Sequence, residues 1–380
     1  MKILLIGEYS NLHNSLKQGL QKNGFEVTLL STGDGFKNFD SDILINSSLF
    51  ENKFLKLIAK LIDRLIGVSL NEIEIFIKAI FKINKLKGFD IVQLINERAF
   101  GTSPKLEKTL LKYIFKNNKK VFLLACGVDT VSIKYANEKK FRYSILSPYF
   151  KNKNLKREFK QTTKYLNSNY LMLGEYVRDN VKGIISSDLD YHIPYENFNK
   201  YLGMIPNPIN IDKLKKSEIN EKNKIFILHA INSKNKIKKG NEFFEKSLIL
   251  IEEKYKNKIK IVTTIDRPYS EHIINVNKCD ILLDQVYAYD QGYNALEAMG
   301  LGKVVFTGAE KEWVEFYNIK EDSIAINALP DISKIVEKLS WLIENPLQLK
   351  SISKNARKFI EEYHDYKNIA NKYLKTWNIK

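Results

Sequence analysis

Two series of short apolar runs, with helical patterns between them, constrain the fold of this chain most strongly. The first series comprises residues 2–7, 25–31, 42–46, 90–95 and 120–126. The second series comprises residues 225–230, 259–264, 280–284 and 303–308. Unbroken runs of this length are typical of strands that are buried on both faces of a parallel sheet. Strands that alternate with helices therefore predict an α/β protein with two parallel sheets.

A helix is predicted directly after the first strand. Asn11 offers an N-cap, and Leu12, Leu16 and Leu20 recur every four residues, as on the buried face of a helix. Gly24 is the type of residue that ends a helix before the next strand. The N-terminus is thus expected to be a strand–helix–strand unit.

Two closely spaced prolines, Pro206 and Pro208, lie between the two series and make the chain stiff and extended there. The predicted parts are an N-terminal domain at 1–205, a hinge at 206–210, a C-terminal domain at 211–360 and a final helical segment at 361–380. Parallel sheets bind ligands at the carboxyl ends of their strands. Between two such domains, the cleft is the natural place for a site.

Composition narrows the setting without choosing a function. The 380 residues are 44% hydrophobic and 28% charged, which is typical of a globular chain, and the formal net charge is +17. This charge favours nucleic acid, an acidic membrane surface or phosphorylated substrates, or it reflects a compositional bias towards lysine spread along the chain. The two cysteines, Cys126 and Cys279, lie in apolar runs and predict neither disulfides nor a zinc site. With no signal-peptide pattern and no long uncharged stretch, we expect a cytoplasmic protein.

The most informative stretch, 279–308, reads as a buried strand, a polar loop, a short helix and another strand. Gly292 lets the backbone approach a ligand, and the amides that begin the following helix form an anion site. Glu297 lies among apolar neighbours on that helix, where its carboxylate can accept hydrogen bonds from both hydroxyls of a ribose. A solvated glutamate on an exposed helix face is the alternative.

This stretch resembles the donor-site signature of the group 1 (family four) glycosyltransferases, written E-G-F-G-x-x-x-x-E-A-M-x-x-G-x-P-V. Residues 289–305 read Y-D-Q-G-Y-N-A-L-E-A-M-G-L-G-K-V-V in the same register. The matching residues are Gly292, Glu297, Ala298, Met299 and Gly302. Asp284 and Gln285 stand where the family usually has a Pro-Ser pair. An Asp-Gln pair at this place is similar to that of a branch of bacterial surface-polysaccharide transferases. The resemblance implies the GT-B fold, in which two Rossmann-like domains face a cleft and a C-terminal helix packs back on the N-terminal domain.

The resemblance also implies roles for individual residues. Glu297 would bind the nucleotide ribose, and the amides of Gly292, Tyr293 and Asn294 would meet sugar or phosphate. The first glutamate of the signature falls on Tyr289 here. Either the adjacent Asp290 contacts the donor sugar in its place, or the sugar is held differently.

Two lysines after the strand at 225–230 are similar to the cations with which this family binds the donor diphosphate. Lys239 precedes a glycine, as in the family, and Lys234 stands where the family has an arginine. Lysine lacks the bidentate fork of arginine. Such cations stabilise a leaving diphosphate without a metal, so no metal and no cofactor are expected. The short segment before residue 279 leaves open whether the donor base is uridine or guanosine.

In the N-terminal domain, candidate residues follow predicted strands. In this fold the loop after the first strand faces the acceptor, which makes Tyr9, Ser10 and His13 candidate acceptor-binding residues. His13 and Asp129 are candidate catalytic residues, although Asp129 is equally suited to cap the next helix. His229 is a further polar candidate at a strand end.

The resemblance implies a retaining transfer in which the leaving phosphate accepts the acceptor's proton. The expected partners are a nucleotide-sugar donor and a glycan or lipid-linked acceptor. The run at 52–66 alternates apolar residues with cations. It is either a helix on the anionic inner face of the cytoplasmic membrane or an ordinary helix packed on the sheet.

Other functions stay open. A degenerate GT-B protein that binds nucleotide or glycan without turnover would explain Tyr289. A nucleotide-sugar 2-epimerase would need carboxylates that form no legible motif here. We expect no nucleic acid partner, because the chain has no helix-turn-helix, RNA-binding sheet signature or zinc pattern.

Overall fold

A computed structural model of the chain describes residues 1–33, 39–48, 69–215 and 224–378. The cationic run predicted at 52–66 lies outside these residues. Within them, no helix is both long enough and apolar enough to cross a membrane.

The first domain is built on a parallel sheet with the strand order β3-β2-β1-β4-β5-β6-β7. Its strands are β1 (Lys2–Ile6), β2 (Glu26–Ser31), β3 (Ile43–Leu44), β4 (Ile91–Leu94), β5 (Lys120–Ala125), β6 (Gly183–Ser186) and β7 (Tyr201–Met204). The first five lie where the apolar runs predict them. The last two were not predicted, because β6 has only two apolar residues in a row and β7 is interrupted by Gly203 at φ 99°.

Helices cover both faces of this sheet. They are α1 (Leu12–Lys22), α2 (Leu70–Lys82), α3 (Pro104–Asn117), α4 (Thr130–Asn137), α5 (Ser147–Lys151), α6 (Lys156–Thr163), α7 (Ser168–Asn180) and α8 (Leu189–Tyr195). Two buried apolar clusters, one on each face, contain the side chains of β1, β4 and β5, as expected for a sheet buried on both faces.

The predicted cap of α1 is wrong in its chemistry. Asn11 occupies the N-cap position, but its backbone is left-handed at φ 76° and its side chain caps no amide. Ser10 before it is also left-handed, at φ 55°. Asparagine tolerates this conformation better than most residues. Asn11 therefore forms part of the sharp turn that follows β1 and does not cap the helix with its side chain.

The second domain has a parallel sheet with the strand order β12-β11-β10-β8-β9. Its strands are β8 (Ile225–Ile231), β9 (Ile259–Ile265), β10 (Ile281–Leu283), β11 (Val304–Thr307) and β12 (Ile326–Asn327). Its helices are α9 (Asn241–Tyr255), α10 (Tyr269–Lys278), α11 (Tyr293–Gly300), α12 (Lys311–Tyr317), α13 (Ile332–Glu344) and α14 (Pro346–Phe359). Of the five strands in this sheet, all but the two-residue β12 lie where the apolar runs predict them.

The chain crosses between the domains twice, and the two crossings are hydrogen-bonded to each other. The backbone N–H of Ile209 donates to His364 O at 2.7 Å, and that of Tyr366 donates to Ile209 O at 3.1 Å. After the second crossing, helix α15 (Tyr366–Thr376) packs against α1 of the first domain. Trp377 is fully buried there, and its indole N–H donates to Gln93 Oε1 at 3.1 Å.

Candidate active site

Two adjoining cavities lie in the cleft between the domains. The first cavity, about 390 Å³, is lined mainly by loops at the carboxyl ends of β8, β9 and β10 and by the start of α11. The second cavity, about 330 Å³, lies between these loops and the first domain. Four residues line both: Asn235, Lys239, Gln285 and Gly292. A cavity of about 660 Å³ on the first domain, between α4, α7 and α8, contains none of the predicted site residues.

The position of Lys239 is fixed by the backbone on both sides. Its carbonyl accepts the Val286 N–H at 2.8 Å. The next residue, Gly240, is left-handed at φ 70°, and a Cβ there would lie 2.9 Å from Val286 Cβ. A glycine is therefore required after this lysine. The Lys239 ammonium, which is partly exposed, donates to Oδ1 of the buried Asp284 at 2.8 Å.

Helix α11 begins at the boundary of the two cavities. Gly292 is its N-cap residue, so the first amides of the helix open onto the cleft. The Glu297 side chain lies one turn further along and lines the first cavity. Tyr269 OH donates to Glu297 Oε1 at 2.9 Å, and His272 Nε2 lies 2.6 Å from Asn294 Oδ1.

Tyr293 has a different role from its neighbours. Its ring lines the first cavity, but its hydroxyl lies in the domain junction. There it contacts Ser15 Oγ at 2.8 Å and donates towards Pro208 O and Asn11 O at 3.0 and 3.3 Å. The hydroxyl therefore ties the second domain to the first one and to the hinge.

Tyr289 is covered by the first domain. Its side chain is buried, its hydroxyl accepts the Arg142 backbone N–H at 2.8 Å, and the Arg142 guanidinium lies 4.7 Å from its ring centroid. Arg142 also pairs with Glu310 and with Glu312 of the second domain. The position of the first signature glutamate is thus part of a domain contact.

Asp290 and Asp190 exchange backbone hydrogen bonds across the same junction. Asp290 Oδ2 accepts the Leu189 N–H at 3.1 Å, and the Asp190 carboxylate accepts the N–H groups of Tyr289 and Asp290 at 3.2–3.3 Å. Burial, reinforced by the charge of Asp290, raises the pKa of Asp190 to about 7. Burial raises the pKa of Asp290 to about 6. Asp290 also lines the second cavity, so a ligand there would meet a carboxylate that already accepts the Leu189 N–H.

The predicted acceptor residues separate in the structure. Ser10 lines the first cavity, whereas Tyr9 lines neither cavity and packs on Gly127. His13 is fully buried, and its Nδ1 donates to Gly7 O at 2.7 Å. Burial lowers the pKa of His13 to about 3. Its predicted contact with the acceptor is wrong in this structure, because the ring is enclosed between β1 and α1.

Asp129 lines neither cavity, although Val128 and Ser132 beside it line the second one. Its Oδ1 accepts the Ser132 N–H at 2.7 Å, which makes it the cap of α4. Burial raises its pKa, and the adjacent Glu97 pairs with Arg178. The capping bond therefore confirms the alternative role that the sequence predicts for Asp129, and its carboxylate is fully buried in this network.

His229 is buried too, and its Nε2 accepts from Asn241 Nδ2 at 2.9 Å. Burial lowers the pKa of His229 to about 4. The ring is therefore neutral and serves the start of α9.

The two predicted cations also separate. Lys239 lines both cavities, whereas Lys234 is exposed and lines neither. The basic lining residues that the sequence analysis missed are Arg267, in the first cavity, and Lys238, in the second. Arg267 follows β9 at its carboxyl end, and that position alone could have indicated it. In the part of the chain that the structure describes, no group of three or more histidine, cysteine or acidic residues is placed to hold a metal ion.

Residues 228–375 match the family model described as glycosyl transferase-like. Sucrose-phosphate synthase from Thermosynechococcus elongatus is similar in structure, with a TM-score of 0.63 and 14% identity over 100% of this chain and 98% of that one. HepE from Anabaena in complex with UDP-glucose gives 0.58 and 11% over 100% and 99%. A putative UDP-N-acetylglucosamine 2-epimerase from Listeria monocytogenes gives 0.53 and 13% over 98% and 94%.

No curated protein sequence matches the chain significantly. The structural likenesses, all at low identity, show the fold: two parallel-sheet domains with a helical C-terminal region, as in GT-B proteins. Independently of the structural likenesses, the family-model match shows that residues 228–375 form a glycosyl transferase-like domain. The chain therefore has the GT-B fold and carries a glycosyl transferase-like domain, which supports the prediction that it is a transferase enzyme.

Proposed function

We propose that the protein is a retaining glycosyltransferase that moves a sugar from a nucleoside-diphosphate sugar to a glycan or lipid-linked acceptor in surface polysaccharide biosynthesis. One observation carries this proposal. A carboxylate (Glu297), an ammonium (Lys239) and the first turn of α11 converge on one cavity in the cleft. These are the groups that a ribose, a diphosphate and its glycosidic oxygen require.

The two cavities divide the donor between them. Glu297 accepts ribose hydroxyls in the first cavity. The diphosphate lies at the residues that both cavities share, where Lys239 and the N-terminus of α11 complement its charge. An ammonium has three N–H donors, and Asp284 takes one of them. The donor sugar and the acceptor then occupy the second cavity.

The chain's own residues serve mainly to stabilise the leaving group. As the bond between the anomeric carbon and the diphosphate oxygen breaks, negative charge grows on the phosphate, where Lys239 and the α11 amides are already placed. The acceptor hydroxyl attacks the same face and its proton passes to that phosphate oxygen, so the products are the glycoside and a nucleoside diphosphate. This route requires neither a carboxylate base nor a metal ion from the protein.

A lipid-linked acceptor is supported by one face of the first domain. On α2, the side chains of Ile77, Ile80 and Phe81 are exposed, and Phe81 is 85% exposed. Lys78, which pairs with Glu74, lies between them in the sequence, and Lys82 directly follows Phe81. Apolar side chains flanked by cations suit an anionic membrane surface, and the GT-B cleft would then lie close to acceptors held in the bilayer.

The second candidate is a protein that binds nucleotide without turnover. The covering of Tyr289 by Arg142 favours it, because a signature carboxylate is replaced by a domain contact. Turnover of donor separates the two: release of nucleoside diphosphate that depends on an acceptor supports the transferase, and binding without release supports the alternative.

The first test is nucleotide binding, measured by thermal shift with UDP, GDP, ADP and their sugars. Lys239→Met and Glu297→Gln are each expected to lower nucleoside-diphosphate affinity by roughly ten- to a hundredfold, because each removes a charge-assisted contact. Lys246→Met, at an exposed lysine of α9, is the matched control. Folded wild-type protein that responds to no nucleotide would contradict the proposal.

A further inference from the structure

Helices α10 and α11 are joined by two side-chain hydrogen bonds at the same spacing. Tyr269 pairs with Glu297 at 2.9 Å and His272 pairs with Asn294 at 2.6 Å. The members of each helix are three residues apart and so share one face. All four side chains line the first cavity. The bonds therefore lie in the wall of the cavity that we propose for the nucleotide.

The second of these bonds continues to Lys239. Asn294 Nδ2 donates to Asp284 Oδ1 at 3.0 Å, and Lys239 Nζ donates to the same oxygen at 2.8 Å. Because the amide nitrogen of Asn294 is used as a donor, its oxygen faces His272, which must then donate from Nε2. Donors and acceptors alternate consistently from His272 to Lys239.

We propose that Tyr269 and His272 are positioning residues for the side chains that bind a nucleoside diphosphate. Tyr269 holds the Glu297 carboxylate for the ribose hydroxyls, and His272 holds the Lys239 ammonium for the diphosphate through Asn294 and Asp284. This inference deepens the proposed function and rests on it. It assigns one residue of α10 to each half of the ligand.

Positioning is needed because glutamate and lysine side chains lose much rotamer freedom when they bind a ligand. A side chain held beforehand loses less at binding, which raises affinity. Asp284 is only 1% exposed, so it is a rigid anchor, whereas Lys239 retains 29% exposure towards the cavity. A carboxylate has about four acceptor sites, and Tyr269 occupies one of those on Glu297.

The two hydrogen bonds are not what packs α10 onto the domain. Ile273 and Val276 of α10 already pack into the apolar cluster that contains Ala295, Leu296 and Met299 of α11. Loss of a single polar contact on the cavity side should leave this cluster intact. We therefore expect variants of Tyr269 and His272 to fold.

The test compares ratios of affinity within nucleotide pairs, measured by calorimetry on the full chain. UDP against 2′-deoxy-UDP reports on the ribose contact, and UDP against UMP reports on the diphosphate contact, with the guanosine series run in parallel. Tyr269→Phe should reduce the first ratio roughly three- to tenfold and leave the second unchanged. His272→Leu should do the reverse, and His272→Gln, which keeps a donor, should restore the second ratio.

The outcomes separate the inference from the proposed function. If each variant weakens all nucleotides equally, the residues have a merely structural role and the inference fails while the donor site stands. If the ratios do not move at all, the inference fails in the same way. If the wild-type protein binds none of the nucleotides, the proposed function fails and the inference fails with it.

Discussion

Gly19 of α1 lies directly against the C-terminal helix α15, and Gly19→Ala tests that contact. A Cβ at Gly19 would press against the carbonyl oxygen of Tyr366 and lie 2.8 Å from the Cβ of Ala370. Carbon atoms prefer separations of about 3.5–4.0 Å. Helix α15 would therefore have to retreat by about 1 Å.

Two opposing effects set the magnitude. Replacing glycine by alanine inside a helix contributes about 1 kcal/mol of helix stability. Overpacking costs about 1–3 kcal/mol, and the upper end applies because the nearest atom belongs to the backbone and cannot rotate away. We expect a net loss of about 2 kcal/mol, which corresponds to a Tm lower by about 4–8 °C for a domain of this size.

The measurement is thermal unfolding followed by circular dichroism and by tryptophan fluorescence, since Trp377 is buried at this contact. Gln21→Ala, at an exposed position of α1, is the matched control and should stay within about 0.5 kcal/mol of the wild type. If Gly19→Ala were as stable as the wild type, the close packing of α15 on α1 would be refuted.

Two further predictions concern the domain junction. Tyr293→Phe should lower the free energy of unfolding by about 1–3 kcal/mol, because it leaves the Ser15 hydroxyl without this partner; an unchanged urea midpoint would contradict the contact. For Asp190, the pKa of about 7 in the folded protein lies above its ordinary value of 3.8, so stability that is present below pH 3.8 is lost as the pH rises through 7. The stability difference between the wild type and Asp190→Asn should therefore fall between pH 4 and 7, by up to about 1.4 kcal/mol per pH unit. The difference is measured because buried His13, whose pKa is lowered, changes the stability of both proteins in the opposite direction. Parallel pH curves would contradict the raised pKa of Asp190.

The regular parts of this fold are legible in the sequence because they depend on local pattern. Apolar runs predicted nine strands at the right places, since a strand buried on both faces must be apolar along its whole length. The apolar pattern does not predict β6, β7 and β12, which have no long apolar run. These strands form because they pair with a neighbouring strand of the sheet. Asn11 shows the same limit, because cap and turn use the same residue types.

The candidate site could be predicted where a side chain and a backbone requirement fall on adjacent residues of the sequence. Lys239 needs Gly240 beside it, and the pair is visible in the sequence. The covering of Tyr289 depends on Arg142, which is 147 residues away in the chain, and the contact of Asp290 with the Leu189 N–H joins residues 101 apart. No local pattern carries that information, so their environments emerge only in the folded structure.

The return of α15 to the first domain affects how the protein can be made on the ribosome. Domains generally fold in order of synthesis, and residues 1–205 leave the ribosome well before the helix that covers α1. Until residue 377 has been made, the surface around Gly19 and the amide of Gln93 stay exposed to solvent or to a chaperone. Completion of the first domain is thus delayed until the second has been translated, which couples the appearance of a stable cleft to the synthesis of residues 366–377.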